Sequence, residues 1–597
     1  MASQSQAVLP PNFANRFIKM NWSSILPILS WVPNYKKSDL QGDFSAGLTV
    51  GVMLIPQGMA YAMLAGLPPI YGLYAATIPL IVYALFGTSR QLAVGPVAMV
   101  SLLTASGVGL LAQPGTTDFI TLAIALSLFT GLMQFLVGVF RLGFLVNFLS
   151  YPVISGFTSA AALIIGLSQL KHLLGIKMGS SQKIYVVLGD AFRQIENIHW
   201  LTFLIGIGGM ALIMGVKKIH KSIPGSLLAV IAGILCVLFF HLEEAGVKVL
   251  GEVPQGFPKF AFPQFSWANF QALLPTTLAI TLVSFMESIA VATAIQSKHK
   301  TYKVDPNQEL IALGISKIAG SFFQSFPVSG GFSRTAVNDQ AGARTQLAAI
   351  ISAVLIVLTL LFLTPLFHDV PNAILASVIM VAVFGLIDSK EPIHLWRANR
   401  TDFWMLIVTF IATLMLGIIQ GIGIGVILSL VMMIYRTTRP HIAVLGCVPG
   451  TSVYRNVDRF PEIQKRDDLL IVRFDAQLYF ANINYFRQCL EDLIGAKGET
   501  LKAVIINAES INNMDSSAVH VVEEVVSDLK ARNIELYFSS VKGPVRDAMA
   551  KGNLLGKIGE DHFFMVVHDA VNAFDHRTEN SRLSDQDLRS YTMQTNS

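Results

Sequence analysis

The sequence predicts an α-helical polytopic membrane protein of 14 transmembrane elements, arranged as a 7+7 inverted repeat and followed by a soluble α/β domain. Three observations support this fold class: charge is distributed unevenly, long apolar runs recur, and two apolar runs are interrupted by Gly and Pro at matching positions. The chain has 597 residues, of which 53% are hydrophobic and 14% are charged. Soluble proteins carry about 25% charged residues, so a wholly soluble, disordered, fibrous or disulfide-rich protein is excluded.

Charge divides the chain into two parts near residue 440. Residues 1–440 contain 26 Lys and Arg against 16 Asp and Glu, so 42 of 440 positions are charged, with a net charge of +10. Residues 441–597 contain 17 Lys and Arg against 22 Asp and Glu, so 39 of 157 positions are charged, with a net charge of −5. We therefore divide the chain into an N-terminal segment (1–43), a transmembrane domain (44–440), a soluble domain (441–575) and a polar tail expected to be disordered (576–597).

Twelve apolar runs approach the length of about 20 residues that a helix needs to cross a bilayer. The runs lie at 44–67, 70–86, 118–140, 144–174, 199–216, 223–241, 273–296, 307–325, 345–367, 370–387, 402–419 and 420–436. The 144–174 run is longer than one crossing needs and is expected to tilt or break at Pro152. Two further stretches, 92–112 and 326–343, contain Gly and Pro near their starts. Each is predicted to be a short extended piece leading into a half-length helix.

Positive charge is concentrated in alternate short loops, which sets the orientation of a membrane protein. With the N-terminus inside, the inner side receives Arg90, Arg141, Lys217, Lys218, Lys221, Lys298, Lys300, Lys303, Arg344, Lys390, Arg397, Arg400, Arg436 and Arg439. We therefore expect both termini and the whole soluble domain in the cytoplasm. The protein is expected to cross the cell membrane (inner or plasma membrane) many times.

The two interrupted stretches each hold the third place in a group of seven elements. Gly331 follows Gly95 by 236 residues, and the runs that begin at 118 and 345 are 227 residues apart. Because seven is odd, the second group enters the membrane from the opposite side, and an inverted repeat results. Paired Gly/Pro-interrupted segments at matching positions are typical of a transporter's central site, although Gly and Pro also occur as ordinary transmembrane kinks.

Two half-helices that begin near the membrane midplane direct their positive N-terminal ends and free N–H groups toward one place, which suits an anion. Ser101 follows the first break and Ser333 the second, so their hydroxyls can complete the shell. Glu287 and Arg334 are among the few ionisable residues within the spans, where such groups are costly. An Arg there favours a divalent or planar oxyanion. A nearby Glu opposes the anion unless it is protonated, so binding of the anion and of a proton would favour each other. A structural Glu287–Arg334 ion pair is the alternative.

Three further polar residues interrupt the spans. Gln57 and Tyr61 are four residues apart and share a helix face beside Pro56. They are neutral donors for an anion or, equally, for hydrogen bonds between helices. Lys317 is expected to snorkel toward a membrane surface rather than to line the cavity.

Two stretches resemble the sulfate permease (SulP) family, which is related to the solute carrier family 26 anion transporters. They are Pro56–Ala62 continuing to Leu67–Tyr74, and Ser333–Asn338, and the resemblance extends over about residues 40–575. It implies a core domain that rocks past a gate domain, often in a dimer. It also implies anion contacts at Gln57, Tyr61, Gly95, Val97, Ala98, Ser101, Gly331, Phe332, Ser333 and Arg334, with Glu287 at an acidic coupling position. The chain departs from the family pattern at Gly331, where many members have Ser, and at Lys317, where a neutral residue is usual.

The soluble domain alternates short apolar strands with amphipathic helices. Strands are predicted at Leu469–Phe474, Ala503–Ile506 and Leu536–Phe538, and helices at 482–496, 516–532, 543–551 and 566–574. This pattern fits a small α/β domain and resembles the STAS domain, which is shared with anti-sigma-factor antagonists. Asp515 is expected to cap a helix, and Ser516 occupies a position like the phospho-acceptor loop of those antagonists. Ser516 is therefore a candidate regulatory phosphosite.

The sequence contains no Walker loop, GxGxxG, HExxH or GxSxG motif, so ATP-driven transport and common hydrolase chemistry lack support. We expect a protein that is not an enzyme and has no cofactor and no metal site. The predicted function is secondary active transport of an inorganic anion, with proton-coupled sulfate uptake by alternating access favoured. The predicted partners are a small anion, the proton, the lipid bilayer and a second copy of the chain, but no nucleic acid. Bicarbonate, chloride or dicarboxylate transport or exchange, with sodium as another coupling ion, stays open, as does a non-transporting sensor that signals through the soluble domain.

Overall fold

The computed structural model describes residues 25–144, 150–178, 183–219, 224–460, 462–463 and 465–578. The chain divides into two compact units, Met1–Ser429 and Leu430–Ser597, and each is described by itself. The predicted disordered tail lies outside the described residues from 579 onward, and residues 576–578 instead continue a helix over 567–578. Residues 1–24 of the predicted N-terminal segment and the inner-loop residue Lys221 also lie outside the described residues.

The described residues contain the 14 predicted membrane elements, which confirms their number and places; the last of them, α14, continues to Thr438, beyond the end of the first unit at Ser429. In chain order they are α1 (Lys37–Leu64), α2 (Ile70–Phe86), α3 (Ala98–Val108), α4 (Thr117–Val139), α5 (Tyr151–Leu173), α6 (Trp200–Ile219), α7 (Gly225–Phe240), α8 (Trp267–His299), α9 (Pro306–Ser321), α10 (Phe332–Gln340), α11 (Leu347–Phe367), α12 (Asn372–Phe384), α13 (Arg400–Leu416) and α14 (Ile418–Thr438). Within the described residues, seven of these helices have both the length and the hydropathy to cross a membrane, and the others are shorter. Short surface helices lie at Ile28–Trp31, Ile184–Arg193 and Glu391–Ala398.

Local sequence signals explain where several helices begin. The Asp305 carboxylate accepts hydrogen bonds from the N–H groups of Asn307 and Gln308 at the start of α9, which satisfies two orphan donors. Helix α5 begins at Tyr151, with Pro152 in its first turn, where a missing N–H is harmless. The predicted 144–174 run is therefore interrupted just before Pro152, since residue 150 is not helical, while residues 145–149 lie outside the described residues.

The membrane helices pack into two groups. In the first, α9 packs against α2 and α4, α11 against α1, and α8 against α3, α4 and α10. In the second, α5 packs against α12 and α13, and α6 against α7 and α12, while Gly421 and Gly425 of α14 meet α13 and α5. We call the first group (α1–α4, α8–α11) the core and the second (α5–α7, α12–α14) the gate. Their main contacts run from α1 to α7 and α12.

The two interrupted elements cross each other as a pair of short strands. Strand β1 (Val94–Gly95) pairs antiparallel with β2 (Ser329–Gly330), and Val94 faces Gly330. These two facing residues are 236 positions apart, the same offset as between Gly95 and Gly331. Equivalent residues of the two repeats therefore meet, as they must around a twofold axis that relates inverted repeats. The predicted extended pieces and half-length helices are both present.

Gly58 of α1 and Gly72 of α2 allow the two helices to touch backbone to backbone. A Cβ atom added at Gly72 would lie 1.9 Å from the carbonyl oxygen of Gly58, and one added at Gly58 would lie 3.1 Å from that of Gly72. Small residues of this kind let membrane helices approach closely. The approach fixes the half of α1 that carries Gln57 and Tyr61.

The second unit is a six-stranded sheet covered by helices on both faces. Its strands are β3 (Ile442–Cys447), β4 (Tyr454–Asn456), β5 (Leu469–Phe474), β6 (Ala503–Asn507), β7 (Glu535–Ser539) and β8 (Phe563–Phe564), in the order β4-β3-β5-β6-β7-β8. Its helices are α15 (Ile483–Lys497), α16 (Ser516–Ala531), α17 (Gly543–Lys551) and α18 (Leu554–Ile558), followed by the helix over 567–578. Strands β5 to β8 run parallel, and β3 runs antiparallel to β4 and β5. The three predicted strands lie at the centre of this sheet.

The Gly58–Gly72 contact generates a stability prediction. We expect Gly72→Ala to lower the melting temperature of the purified protein, because overpacking of this kind destabilises by about 1–3 kcal/mol. Ala otherwise favours a helix over Gly, so the sign of the effect is diagnostic. The matched control is Gly208→Ala in α6, where an added Cβ meets nothing within 4 Å. Equal melting temperatures for the two variants would contradict the contact.

Candidate functional site

Most of the predicted site residues surround one cavity in the first unit. The cavity has a volume of about 50 Å³, enough for a small inorganic anion. Its lining residues are Gln57, Tyr61, Val97, Ala98, Met99, Glu287, Gly331, Phe332, Ser333, Arg334, Ala382, Val383 and Leu386. Distant parts of the sequence are thus brought together at the starts of α3 and α10.

The cavity lies between the core and the gate. The core contributes the polar side chains, from α1, α8 and α10. The gate contributes only Ala382, Val383 and Leu386, at the end of α12 and just beyond it. Sequence reasoning missed these three residues and Met99, since apolar residues in an apolar run give no signal of a site.

Two predicted contacts, Gly95 and Ser101, do not line the cavity. Gly95 lies in β1 with φ +153°, and a Cβ there would come within 3.4 Å of the Arg334 Nη2 atom. Its missing side chain therefore leaves space for the guanidinium. Ser101 is fully buried in α3, and its hydroxyl has no hydrogen-bond partner.

Arg334 is only 2% exposed and reaches from the second repeat to the first. Its Nη1 atom donates a hydrogen bond of 2.6 Å to the carbonyl oxygen of Pro96. Its Nε and Nη2 atoms are buried without a partner, as is the Oε2 atom of Glu287. Among the ion pairs between described residues, none joins Arg334 to Glu287 within 4.0 Å, so the alternative of a structural ion pair is not realised.

Several hydroxyls near the breaks serve the backbone rather than the cavity. Ser329 Oγ donates to the carbonyl oxygen of Ser284 at 3.0 Å, and Thr335 Oγ1 accepts from the N–H of Ala93 at 3.0 Å. Ser333, by contrast, stays exposed on the cavity wall. The cavity wall therefore offers the helix N-termini, Ser333 and the side chains from α1, and the predicted ring of hydroxyls is incomplete.

Lys317 behaves differently from the sequence prediction. It is 0% exposed, and its Nζ atom donates to Gln134 Oε1 at 2.7 Å and to Ser284 Oγ at 2.9 Å. The expectation that it snorkels to a surface is wrong, because neutral oxygens inside the core hold the ammonium group. It does not line the cavity either.

A larger cavity, about 700 Å³, lies between the loops around 87–90 and 301–308. The nearby carboxylate of Glu309 is fully buried and accepts hydrogen bonds from the N–H and hydroxyl of Thr88, the N–H of Ser89 and the hydroxyl of Tyr83. This carboxylate is saturated by the protein, whereas the smaller cavity has unpartnered polar atoms. The smaller cavity is therefore the candidate site despite its size.

In the second unit, Asp515 caps α16 as predicted. Its Oδ1 atom accepts from the N–H of Ala518 at 2.8 Å, and its Oδ2 atom accepts from the N–H of Phe480 at 2.9 Å. Ser516 is exposed in the first turn of α16, so a phosphate there would meet a helix N-terminus. Its role as a phosphosite stays a prediction. Within the described part of the chain, no three His, Cys, Asp or Glu residues are placed to hold a metal ion.

Both parts of the chain are similar to known protein families. The model of the sulfate permease family matches residues 40–411, and that of the STAS domain matches residues 460–570. "Sulfate transporter 4.1, chloroplastic" of Arabidopsis thaliana is 39% identical over 588 residues, covering 95% of this chain and 85% of that protein. "Probable sulfate transporter 4.2" of the same plant is 40% identical over 580 residues, covering 94% and 85%. The murine Solute Carrier 26 family member A9 (Slc26a9) anion transporter in the inward-facing state is similar in structure, with a TM-score of 0.85, 25% identity and coverage of 95% and 99%.

The contrast between partnered and unpartnered hydroxyls can be tested through stability. We expect Thr335→Val to lower the free energy of unfolding by about 1–3 kcal/mol, because it leaves the buried N–H of Ala93 without an acceptor. Ser101→Ala removes a hydroxyl that has no partner, so its melting temperature should equal or exceed that of the wild type. Thermal unfolding of both purified variants without added anion measures the difference. Equal destabilisation by the two substitutions would contradict the assignment of Ser101 as unpartnered.

Proposed function

The chain belongs to the sulfate permease family, a family of transporters rather than enzymes, and from this premise we propose that it carries sulfate with protons by alternating access. One observation carries the proposal. A buried guanidinium with two unpartnered nitrogens and a buried carboxyl oxygen without a partner line one cavity, where two half-helices begin. Buried polar atoms are rarely left unpaired, so we infer that a reversibly bound ligand is their partner.

The anion site follows from Arg334 and the two half-helix N-termini. Nε and Nη2 of a guanidinium are two donors in a fixed fork, which fits two oxygens of a tetrahedral oxyanion. The ends of α3 and α10 add partial positive charge. Gln57, Tyr61 and Ser333 supply neutral donors around the cavity wall. These features support sulfate as the substrate. Two similar proteins are named as sulfate transporters.

Proton coupling follows from Glu287 on the same cavity. An ionised carboxylate beside a divalent anion repels it, whereas a protonated one does not. Anion binding and proton binding therefore favour each other, and the two ligands cross the membrane together.

Alternating access follows from the division of the cavity wall. Every polar side chain on the wall belongs to the core, while the gate presents Ala382, Val383 and Leu386. The core can therefore carry the anion past the gate without breaking hydrogen bonds between the two groups. We also propose a homodimer in the cell membrane with both termini in the cytoplasm. A fluorescent fusion with protease protection tests that placement, and fluorescence at a chloroplast membrane would reject it.

Flux through purified protein in liposomes tests the function as a whole. An inward proton gradient should drive accumulation of radiolabelled sulfate, and unlabelled sulfate should compete better than bicarbonate, chloride or dicarboxylates. Uptake that needs sodium or prefers bicarbonate would reject the proposal. Absence of flux for every anion would favour a sensor that acts through the soluble domain.

Arg334→Ala should reduce sulfate uptake by on the order of a hundredfold or more, since a buried charge contact of this kind contributes about 2–5 kcal/mol. Initial uptake rates in liposomes measure the effect. Arg397→Ala, which removes an exposed Arg outside the spans, is the control for the lost positive charge and should transport normally. Near-normal uptake by the Arg334 variant would exclude this residue from the anion site.

Glu287→Gln should abolish the response to pH while sulfate exchange persists, because Gln resembles the protonated carboxyl group permanently. Wild-type uptake should rise as the outside becomes more acidic, and uptake by the variant should stay flat. The control is Glu196→Gln, at an exposed position, which should keep the wild-type pH profile. Proton-driven accumulation by the Glu287 variant would show that another group couples the proton.

A further inference from the structure

We propose that the ammonium group of Lys317 occupies a cation site inside the core and takes the place of a coupling sodium ion, so that transport is independent of sodium. The inference rests on the proposed function for its transport readout. Its structural basis is separate from the anion cavity, which Lys317 does not line.

The site lies where three core helices meet. Lys317 of α9 donates to Gln134 Oε1 of α4 and to Ser284 Oγ of α8, at 2.7 and 2.9 Å. All three residues are fully buried. The Ser127 hydroxyl of α4 also donates to the backbone carbonyl oxygen of Lys317, at 3.3 Å. Two side chains therefore hold the ammonium group, and a third holds the backbone of Lys317.

Both side-chain partners of Lys317 are oriented to present oxygen lone pairs. The amide nitrogen of Gln134 donates to the carbonyl oxygen of Thr281 at 3.1 Å, so its oxygen faces Lys317. The hydroxyl of Ser284 directs its proton to the carbonyl oxygen of Val328 at 3.4 Å, so it accepts from Lys317. Toward Lys317, both neighbours therefore act only as hydrogen-bond acceptors. Such a set suits a cation, whether an ammonium group or a metal ion.

The chemistry of the oxygens points to a hard monovalent cation. Amide and hydroxyl oxygens are ligands that hard cations prefer. In the described part of the chain, the ion pairs include no carboxylate bound to Lys317. A charged group inside the membrane is costly and is a functional hypothesis by default. A tethered ammonium supplies the charge without any exchange with solvent.

The cation site adjoins the second broken element. The carbonyl oxygen of Ser284 accepts the hydroxyl of Ser329, and the hydroxyl of Ser288, one turn later on α8, accepts the N–H of Gly330 at 2.9 Å. Residues 329 and 330 form β2, directly before the half-helix that carries Arg334. A cation bound to Ser284 therefore stabilises the segment of α8 that holds β2 in place, next to the proposed anion site. We expect loss of that cation to weaken anion transport without touching the anion.

The test replaces Lys317 by Ala, which leaves an oxygen-lined space, and by Met, which fills the space with an apolar chain of similar length. Proton-driven sulfate uptake is measured in liposomes in sodium chloride and in choline chloride at equal ionic strength. The melting temperature of the same purified proteins is measured in both salts. The melting readout needs no transport, so it tests the cation site even where the proposed function fails.

We expect the wild type to behave alike in both salts. In choline, sulfate uptake by Lys317→Ala should be lower than wild-type uptake by on the order of tenfold, since a hydrogen bond to a charged group is lost. In sodium, uptake by the same variant should be about threefold higher than in choline, or more. Sodium should also raise its melting temperature selectively. Lys317→Met should transport poorly in both salts. Lys317→Asn, which keeps a short polar side chain, replaces the Ala variant where that variant does not fold and carries the same expectations.

Two outcomes would overturn the inference. The first is full uptake by Lys317→Ala in choline, which would show that the charge is dispensable. The second is a variant whose uptake and melting temperature both ignore sodium, which would show that the oxygens do not form a cation site. A wild-type protein that fails to transport sulfate under a proton gradient would instead overturn the proposed function, and the melting comparison would still decide the cation site.

Discussion

The membrane unit depends on how the protein satisfies its backbone where two crossings are interrupted. In the hydrocarbon core each unpaired N–H or C=O group costs several kcal/mol. Strands β1 and β2 solve this by pairing with each other, and the guanidinium of Arg334 takes the carbonyl oxygen of Pro96. The first residues of the two half-helices line the cavity, and the first N–H groups of a helix have no partner within it. The proposed anion site is thus a direct consequence of breaking two helices side by side.

Buried charges in this unit fall into two kinds. Asp43 and Glu309 are saturated by backbone N–H and hydroxyl donors, and such groups hold loops in place. Arg334 and Glu287 keep unpartnered atoms, and Lys317 is held by neutral oxygens alone. With a proton on Glu287, this second group carries two positive charges. That total matches the divalent anion of the proposed function, in which the proton and the anion bind in one step.

The fold and much of the site could be predicted from sequence because their signals are local. Gly and Pro near the starts of the two interrupted stretches predicted the extended pieces and half-helices, and the 236-residue offset predicted the repeat that relates them. Other features had no local signal. The partners of Lys317 come from α4 and α8, so only tertiary packing reveals them. Strands β4 and β8 have three and two residues, too short for periodicity, and α1 begins seven residues before the predicted 44 because its first turns are polar.

For the proposed alternating access, the apolar face of the gate is the feature that would let the core move. If the gate supplied donors to the anion, each passage would break hydrogen bonds in a low-dielectric environment, where unpaired groups are most costly. Ala382, Val383 and Leu386 offer only dispersion contacts, which are individually small and are replaced as the surfaces slide. All polar side chains on the cavity wall belong to the core. In the proposed mechanism, the net charge that the core presents to the membrane therefore dominates the barrier to transport, and the anion and a proton on Glu287 adjust that charge together.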